Sequence, residues 1–579
     1  MSNYEFPQHE VGFVVNQLTN LRSLYGGDAF PEMSEELLEA ILSETARWVE
    51  TEIAPHNYAC NEFGAKLESN GVVTAPGLQS VYQQYVEAGW QSLSANPEHG
   101  GQGLPQTVYF AVMEALQSSN LGFSLCPMLT AGALEAIESH ADAALQAQLM
   151  PNMISGAWTG SMNLTEPHAG SDLAAVSTKA EPEGDHYRIK GQKIYITWGD
   201  HDVAENIIHL VLARLPDAPA GVKGISLFAV PKFLINADGS LGERNDVHCI
   251  ALEEKLGIHS SPTCVMAFGE TTGAIGYLVG KEHNGLACMF TMMNNARLGV
   301  GMQGVAIAER ALQQAKQYAA ERVQGYDKQN GERITINHHA DVQRMLLSMQ
   351  SLTEAARAMT YEAFATIDKV KAGQSSQSKA DLLTPIVKGF ATEMSQEVTS
   401  LNIQIHGGMG FVEETGAAQH YRDARILTIY EGTTGIQALD LIGRKTARDN
   451  GHAMFTLLDE MRTTVAAANE SDEFSHHATS LTKAIDAVHQ ATESLLAQPE
   501  QHQREAVAND YMMLCGYVLG AERLLKSALL AANDSALATR KKISCAFYFD
   551  HILPRYLSLH QVITAANGSS YLNLAAVAM

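Results

Sequence analysis

The most constraining feature of this 579-residue chain is a change of pattern in its middle. From Ser34 to about Pro151 the apolar residues recur at helical spacing, which predicts helices. Between about Ser161 and Phe268 the apolar segments are short, β-branched or aromatic, and Gly, Pro, Asp and Asn separate them, which predicts a small β domain. Helical spacing returns after about Asn284. We therefore expect several domains in the order α, β, α, since one core seldom serves more than about 300 residues.

Local patterns predict individual elements within this order. Helices are predicted at Leu298–Arg322, Leu346–Lys371 and Leu382–Ile405, and in the last third at Leu457–Ala468, Leu481–Leu496 and Tyr511–Ala532. Strands are predicted at Tyr187–Ile189, Ile194–Thr197, Ile207–Ala213 and Ile225–Val230. Gly191, between the first two strands, predicts a tight hairpin.

Charge and composition disfavour several functional classes. The net charge of −25 disfavours nucleic acid and anionic membranes as partners. No apolar run reaches the ~18 residues of a membrane-spanning helix, and the first residues lack the pattern of a secretory signal. The seven cysteines are scattered without metal-ligand spacing. We therefore expect reduced thiols, no metal site and a cytoplasmic protein without an integral membrane segment.

A polar loop opens the predicted β domain. It reads Thr-Glu-Pro-His-Ala-Gly-Ser-Asp over residues 165–172, and Pro167 and Gly170 favour a loop. Backbone N–H groups and hydroxyls in such a loop can bind a planar polar ring or a phosphate. By itself the segment is equally typical of a turn with capping Ser and Asp.

A glycine-rich segment follows the third long predicted helix. Between Gln404 and Phe411, three of four consecutive residues are glycines, namely Gly407, Gly408 and Gly410. Such a backbone can approach a phosphate or a ring edge closely. The alternative interpretation is a helix C-terminus followed by a flexible turn.

An acidic residue, Glu431, follows an apolar run and precedes a Gly-Thr-Thr-Gly turn. A carboxylate at the edge of an apolar wall loses hydration, which suits it to act as a general base near neutral pH. The alternative is a helix-initiating acid whose carboxylate caps N–H groups.

Together, these segments resemble the acyl-CoA dehydrogenase family. The resemblance covers roughly residues 35–445 and rests on TEPxAGSD, Gln-Ile-x-Gly-Gly-x-Gly-Phe, Arg-Asp-Ala-Arg and Ile-Tyr-Glu-Gly-Thr, which occur in the family's order. The long tail is similar to that of the C-terminally extended branch. The resemblance implies an α+β multidomain fold: an N-terminal α-helical domain (1–158), a small middle β-barrel domain (159–278), a C-terminal four-helix-bundle domain (279–447) and a helical extension (448–579).

The resemblance also implies a site that binds FAD and an acyl-CoA thioester. Glu431 matches the catalytic base, and Ala296 stands where another branch places its base, so Glu431 is the one candidate. Positions that match cofactor-binding residues are Thr165, Ser171, Tyr195, Thr197, Arg322, Gln404, Gly407, Gly408, Thr433 and Gly435. Positions that match substrate-binding residues are Ser171, Arg297, Tyr430 and Gly432. Tyr195 replaces the family's common tryptophan, which leaves the detail of the flavin wall open.

The implied reaction is α,β-dehydrogenation to a trans-2-enoyl-CoA, as in β-oxidation, with electrons passing to an electron-transfer flavoprotein. Because Arg322, Gln404, Gly407 and Gly408 match residues that reach a neighbouring subunit's FAD, and the long tail matches the extended branch, the resemblance implies a homodimer. Two alternatives stay open: an acyl-CoA oxidase that uses oxygen, and a non-catalytic CoA- or flavin-binding scaffold. The length and branching of the acyl group are not readable from the sequence.

Overall fold

The computed structural model describes residues 4–531 and 535–565. The chain divides into two compact units. The helical unit comprises Met1–Arg47 and Val300–Met579, and the β-containing unit comprises Trp48–Gly299. Across the described residues, no helix combines the length and apolarity that crossing a lipid bilayer requires.

The chain begins with two helices and then enters the β-containing unit. The two helices are α1 (Gln8–Phe13) and α2 (Glu35–Trp48). The elements that follow are α3 (Asn57–Phe63), β1 (Lys66–Glu68), β2 (Gly71–Val73), α4 (Leu78–Glu87), α5 (Gln106–Ser119), α6 (Leu121–His140), α7 (Ala143–Ser155), β3 (Trp158–Asn163), β4 (Lys179–Glu183), β5 (His186–Thr197), β6 (Asn206–Arg214), β7 (Ile225–Pro231), β8 (Phe233–Ile235), β9 (Leu241–Arg244), β10 (Val247–Leu252), β11 (Thr263–Phe268) and β12 (Ala274–Val279).

Helices dominate the remainder of the chain. Its elements are α8 (Gly285–Glu321), β13 (Val323–Tyr326), β14 (Arg333–Thr335), α9 (Ala340–Lys371), α10 (Gln377–His406), α11 (Ala417–Arg425), α12 (Thr434–Asp440), α13 (His452–Asn469), α14 (Ser475–Ala497), α15 (Gln501–Glu505), α16 (Ala508–Leu530), α17 (Ser535–Phe547) and α18 (Arg555–Thr564). The predicted helices are confirmed in type, although residue 532, the predicted end of one, lies outside the described residues.

The strands of the β-containing unit close into a small barrel. Strand β5 pairs with β12, β12 with β7, and β7 with β6. Strand β4 completes the ring, because it pairs with β5 along its length and with β6 at Lys179. Strands β11 and β10 extend the sheet from β5, and β3 joins β6 in parallel. The predicted middle β-barrel is confirmed.

The hairpin predicted at Gly191 is wrong. Strand β5 runs through this residue, which pairs with Phe268 of β11. The hairpin lies instead at Gly184, between β4 and β5, where φ is 65°. A Cβ at position 191 would lie 2.5 Å from the Thr178 hydroxyl, so the glycine serves a close packing contact, not a turn.

Two strands interrupt the stretch from Ser34 to about Pro151, for which the sequence predicts only helices. Strands β1 and β2 form a short antiparallel pair between α3 and α4. The three-residue strands are too short to show an alternating pattern, so periodicity gives no signal for them.

Buried ion pairs fasten the C-terminal helices to the rest of the helical unit. Arg523 of α16 lies 3.0 Å from Glu362 of α9, and Lys541 of α17 lies 3.1 Å from Glu354 of α9. All four side chains are at most about one-tenth exposed. Removing one member of such a pair leaves a buried charge and costs about 3–5 kcal/mol. The extension is therefore an integral part of this unit.

Candidate active site

Backbone strain singles out two of the predicted site residues. Within the described residues, seven residues other than glycine have positive φ, and these include Tyr195 at 58° and Glu431 at 54°. Left-handed backbone at a side-chain-bearing residue is unfavourable and persists where the surroundings enforce it. The contacts around both residues show how it is enforced.

The Glu431 turn (residues 428–434) is held through its backbone carbonyl groups. Lys388 of α10 donates from Nζ to the Gly432 carbonyl oxygen at 2.7 Å. Gln437 of α12 donates from Nε2 to the carbonyl oxygens of Glu431 and Gly432, at 3.2 and 3.3 Å. Both donor side chains are fully buried. The turn is thus bound to groups that cannot move into solvent.

Side chains on both flanks of Glu431 are also bound. The Tyr430 hydroxyl donates to Oε1 of Gln303, and burial raises the pKa of Tyr430 well above its ordinary value. Thr433 is the N-cap of α12, since its hydroxyl accepts from the Ile436 N–H at 3.2 Å. The helix-capping role therefore lies with Thr433. Glu431 itself is a partly exposed residue.

The Glu166 loop (residues 164–178) is held through a side chain instead. The Glu166 carboxylate accepts five hydrogen bonds: from the N–H and hydroxyl of Ser177 at 2.8 and 2.7 Å, from those of Thr178 at 3.0 and 2.5 Å, and from Lys193 Nζ at 2.8 Å. Glu166 is 2% exposed and Lys193 is fully buried. The Glu166 carboxylate therefore holds the two ends of the loop and strand β5 together through these hydrogen bonds.

Glu166 and Lys193 each stabilise the charged form of the other. Burial acts to raise the pKa of Glu166, but Lys193 and the hydrogen bonds from Thr178 and Ser177 outweigh it and hold the pKa at about 2. Burial lowers the pKa of Lys193 to about 8, against the attraction of Glu166. Both groups are therefore charged at neutral pH.

The same lysine joins the Glu166 loop to strand β5. Lys193 Nζ also donates to the Leu164 carbonyl oxygen at 3.0 Å, and the Ile194 N–H donates to the Thr165 carbonyl oxygen at 2.9 Å. Thr165 therefore lies beside the strand that carries Tyr195 and Thr197. The loop and the strand form one bonded assembly.

Two aromatic residues at the C-terminal end of β5 differ in their exposure to solvent. The Tyr195 side chain is 61% exposed, whereas Trp198 is 1% exposed. The Trp198 indole N–H donates to the Gly122 carbonyl oxygen at 2.9 Å, which anchors the end of β5 to α6. The end of β5 therefore presents an accessible tyrosine face at Tyr195 and is anchored by the buried Trp198.

The glycine-rich segment lies beside the C-terminal end of α8. The His406 ring stacks on Tyr318 with ring centres 4.2 Å apart, and Arg322 follows within one turn of Tyr318. Gly407 and Gly408 are exposed, and a Cβ added at either would meet nothing within 4 Å. Their backbone is open to close approach by a ligand. The structure therefore brings Arg322 and this segment to one end of the bundle.

The predicted residues divide between the two units. The β-containing unit holds Thr165, Ser171, Tyr195, Thr197 and Arg297. The helical unit holds Arg322, Gln404, Gly407, Gly408, Tyr430, Glu431, Gly432, Thr433 and Gly435. Ser171 is exposed in the Glu166 loop, and Arg297 is buried on α8 with its Nη1 3.4 Å from Asn294 Oδ1.

Sequence reasoning missed the residues that hold the two segments. Lys193, Lys388 and Gln437 are buried polar side chains that bind backbone or carboxylate oxygens. A lysine inside the apolar stretch Pro385–Phe390 was an available signal, because lysine is rarely buried without a bonding partner.

Family comparisons match nearly the whole chain. The N-terminal, middle and C-terminal domains of acyl-CoA dehydrogenase match residues 35–157, 161–271 and 283–446. A region described as acetyl-CoA dehydrogenase C-terminal like matches residues 457–572. The chain belongs to the acyl-CoA dehydrogenase family. The resemblance read from the sequence, including the extended C-terminal region, is confirmed.

Relatives of this acyl-CoA dehydrogenase are similar over their full length. The 3-methylmercaptopropionyl-CoA dehydrogenase of Ruegeria pomeroyi is 42% identical over 98% of this chain and 99% of its own. A butyryl-CoA dehydrogenase of Syntrophomonas wolfei is 31% identical over 98% of both chains. A Bacillus anthracis acyl-CoA dehydrogenase, solved in complex with FAD, has a TM-score of 0.75 at 19% identity and covers 94% of this chain and 91% of its own. The last similarity shows the shared fold.

Proposed function

We propose that this enzyme uses FAD to dehydrogenate an acyl-CoA thioester between its α and β carbons, with Glu431 as the base. The observation that carries the proposal is the Glu431 turn. Its backbone is held in a strained conformation by buried Lys388 and Gln437, while Glu431 is partly exposed. Strain enforced in this way is typical of functional sites.

The residues present fit FAD as the cofactor. The open backbone of Gly407 and Gly408 suits phosphate or a ring edge, and the exposed Tyr195 face suits a planar ring. We propose that Thr165, Ser171, Tyr195 and Thr197 contact the flavin of the same chain. Arg322, Gln404, Gly407 and Gly408 are proposed to contact FAD of the second subunit in a homodimer. Thr433 and Gly435 are proposed to lie beside the ribityl and phosphate groups of a bound FAD.

The chain's own groups prepare the substrate for proton loss. The Glu431 carboxylate removes the α-proton, and its backbone N–H donates to the thioester carbonyl oxygen. A donor placed at that oxygen stabilises negative charge as it develops, which lowers the barrier to proton removal. FAD, when bound, would supply the acceptor for the β-hydrogen, which would leave as hydride to flavin N5. Tyr430, Gly432, Ser171 and Arg297 are proposed to orient the acyl-CoA.

Short acyl groups are the proposed substrates. The names of the two full-length relatives specify 3-methylmercaptopropionyl-CoA and butyryl-CoA, whose acyl chains are short. We further propose an electron-transfer flavoprotein as the acceptor, a role in β-oxidation and a cytoplasmic location. The division into domains at residues 158, 278 and 447 also remains a proposal.

Anaerobic bleaching of the flavin tests this function. The purified enzyme is mixed with a panel of acyl-CoA thioesters that differ in length, branching and sulfur content, and the loss of flavin absorbance is timed. We expect rapid bleaching by short acyl-CoAs and no bleaching by free CoA. An enzyme that no acyl-CoA bleaches would be a binding scaffold, which contradicts the proposal.

The same preparation distinguishes the oxidase alternative. In air, an oxidase would release one hydrogen peroxide for each acyl-CoA consumed. We expect little peroxide and turnover that depends on an added electron-transfer flavoprotein. Stoichiometric peroxide would establish the oxidase.

A further inference from the structure

We propose that Lys388 is a positioning residue that sets the direction of the Glu431 carboxylate; this inference rests on the proposed function. Lys388 lies in the middle of α10 and is fully buried, and its Nζ is 2.7 Å from the Gly432 carbonyl oxygen. A charged donor bonded to a neutral carbonyl makes a shorter and stronger hydrogen bond than an amide does. It is therefore a charge-assisted attachment of the turn's main chain, directly after Glu431.

The geometry of the turn explains why this bond matters for Glu431. Glu431 and Gly432 both have positive φ, at 54° and 86°. A side chain in this conformation leaves the backbone in a different direction from one in helical or extended backbone. Fixing the Gly432 carbonyl oxygen fixes the orientation of the Gly432–Thr433 peptide. This constrains the backbone of the turn, and with it the direction in which the Glu431 side chain leaves the backbone.

A second donor supports the same carbonyl group without replacing Lys388. Gln437 Nε2 lies 3.3 Å from the Gly432 carbonyl oxygen and 3.2 Å from that of Glu431. These contacts are longer and come from an uncharged amide. Loss of Lys388 therefore leaves the turn attached but less constrained, so the expected consequence is poor alignment of Glu431 rather than unfolding.

Misalignment of a base changes the rate of reaction more than binding. A displacement of about 1 Å can cost about 100-fold in rate, because proton transfer requires close alignment. Acyl-CoA and FAD contact many other groups, so their affinities should change little. The signature of a positioning role is thus a lower kcat with an unchanged KM and an unchanged flavin content.

The test compares Lys388→Met with a matched control, Lys369→Met. Methionine approximates the unbranched aliphatic stem of lysine but lacks the ammonium group and its donors. Lys369 also lies in the helical unit and also donates to a backbone carbonyl, that of Thr19, at 2.5 Å. We expect Lys388→Met to lower kcat between about 10- and 100-fold, with KM and flavin content within twofold. Lys369→Met should keep the wild-type kcat.

Two further measurements separate positioning from general stability. Hydrogen exchange of the backbone amides in residues 428–437, measured on the cofactor-free protein, should be faster in Lys388→Met than in Lys369→Met. Lys388→Arg, which keeps charged donors, should recover at least part of kcat. If Lys388→Met does not fold, Lys388→Gln replaces it with the same expected split between kcat and KM.

The outcomes distinguish this inference from the proposed function. If Glu431→Gln still reduces the flavin at the wild-type rate, the proposed function is wrong. If Glu431→Gln is inactive while Lys388→Met has wild-type kcat and wild-type exchange, the positioning role is wrong. A KM that rises in step with the fall in kcat would also overturn it, because Lys388 would then contribute to substrate binding.

Discussion

The Glu166 loop and the Glu431 turn each present a glutamate beside a buried lysine, yet the lysines bond to different atoms. In the loop, Lys193 and four other donors bond to the Glu166 carboxylate itself. In the turn, Lys388 and Gln437 bond to main-chain carbonyl oxygens. The first arrangement commits the carboxylate to structure. The second fixes the backbone of the turn at Glu431 and Gly432, and Glu431 is a partly exposed residue.

The largest expected effect is the loss of stability when the buried Lys193–Glu166 pair is broken. Lys193→Met leaves the Glu166 charge buried without its lysine, which should reduce the free energy of unfolding of the β-containing unit by about 3–5 kcal/mol. The double variant Lys193→Met with Glu166→Gln removes both charges and should be more stable than Lys193→Met alone. Denaturant unfolding of the three proteins measures both differences.

A control in the helical unit separates loss of stability from loss of flavin binding. Arg523→Met breaks another buried ion pair, with Glu362, that contacts neither segment. We expect both single variants to lose stability, but only Lys193→Met to lose flavin from the purified protein. Equal flavin loss in the two would show that the Glu166 loop has no special role in holding the cofactor.

Acid should weaken the loop in a defined window. The folded pKa of Glu166 is lowered from 4.5 to about 2, so its contribution to stability is complete above pH 4.5 and is lost as the pH falls toward 2. Thermal unfolding should therefore show a wild-type protein that loses stability faster than Glu166→Gln across this window. Parallel curves for the two proteins would show that the carboxylate bonds do not stabilise the fold.

A third glutamate, Glu135, should change the stability in the opposite direction with pH. Burial raises the pKa of Glu135 from 4.5 to about 7, partly offset by the hydrogen bond from Asn295. Its stability contribution is therefore complete below pH 4.5 and is lost as the pH rises through 7. The melting temperature of Glu135→Gln, measured relative to the wild type, should be higher above pH 7 than at pH 4.5. A pH-independent difference would contradict this.

Sequence predicted the parts of the molecule that local patterns encode. The amphipathic repeats of α9 and α10 gave the helices, and the motifs around Thr165 and Glu431 gave the family. Local patterns failed at Gly191, because the constraint there is a packing contact with Thr178. They also missed Lys193 and Lys388. Lys193 bonds to an oxygen 27 residues away along the chain, and Lys388 bonds to one 44 residues away. Such pairings depend on tertiary packing.

The role of Glu431 as the base is tested most sharply by the anaerobic rate of flavin reduction in Glu431→Gln. Glutamine retains the size of the side chain and the bonded backbone of the turn but cannot accept the α-proton. We expect wild-type flavin content and acyl-CoA affinity, with flavin reduction slower by at least about 1,000-fold, within the range for loss of a general base. Reduction within about tenfold of the wild-type rate would show that another group removes the proton.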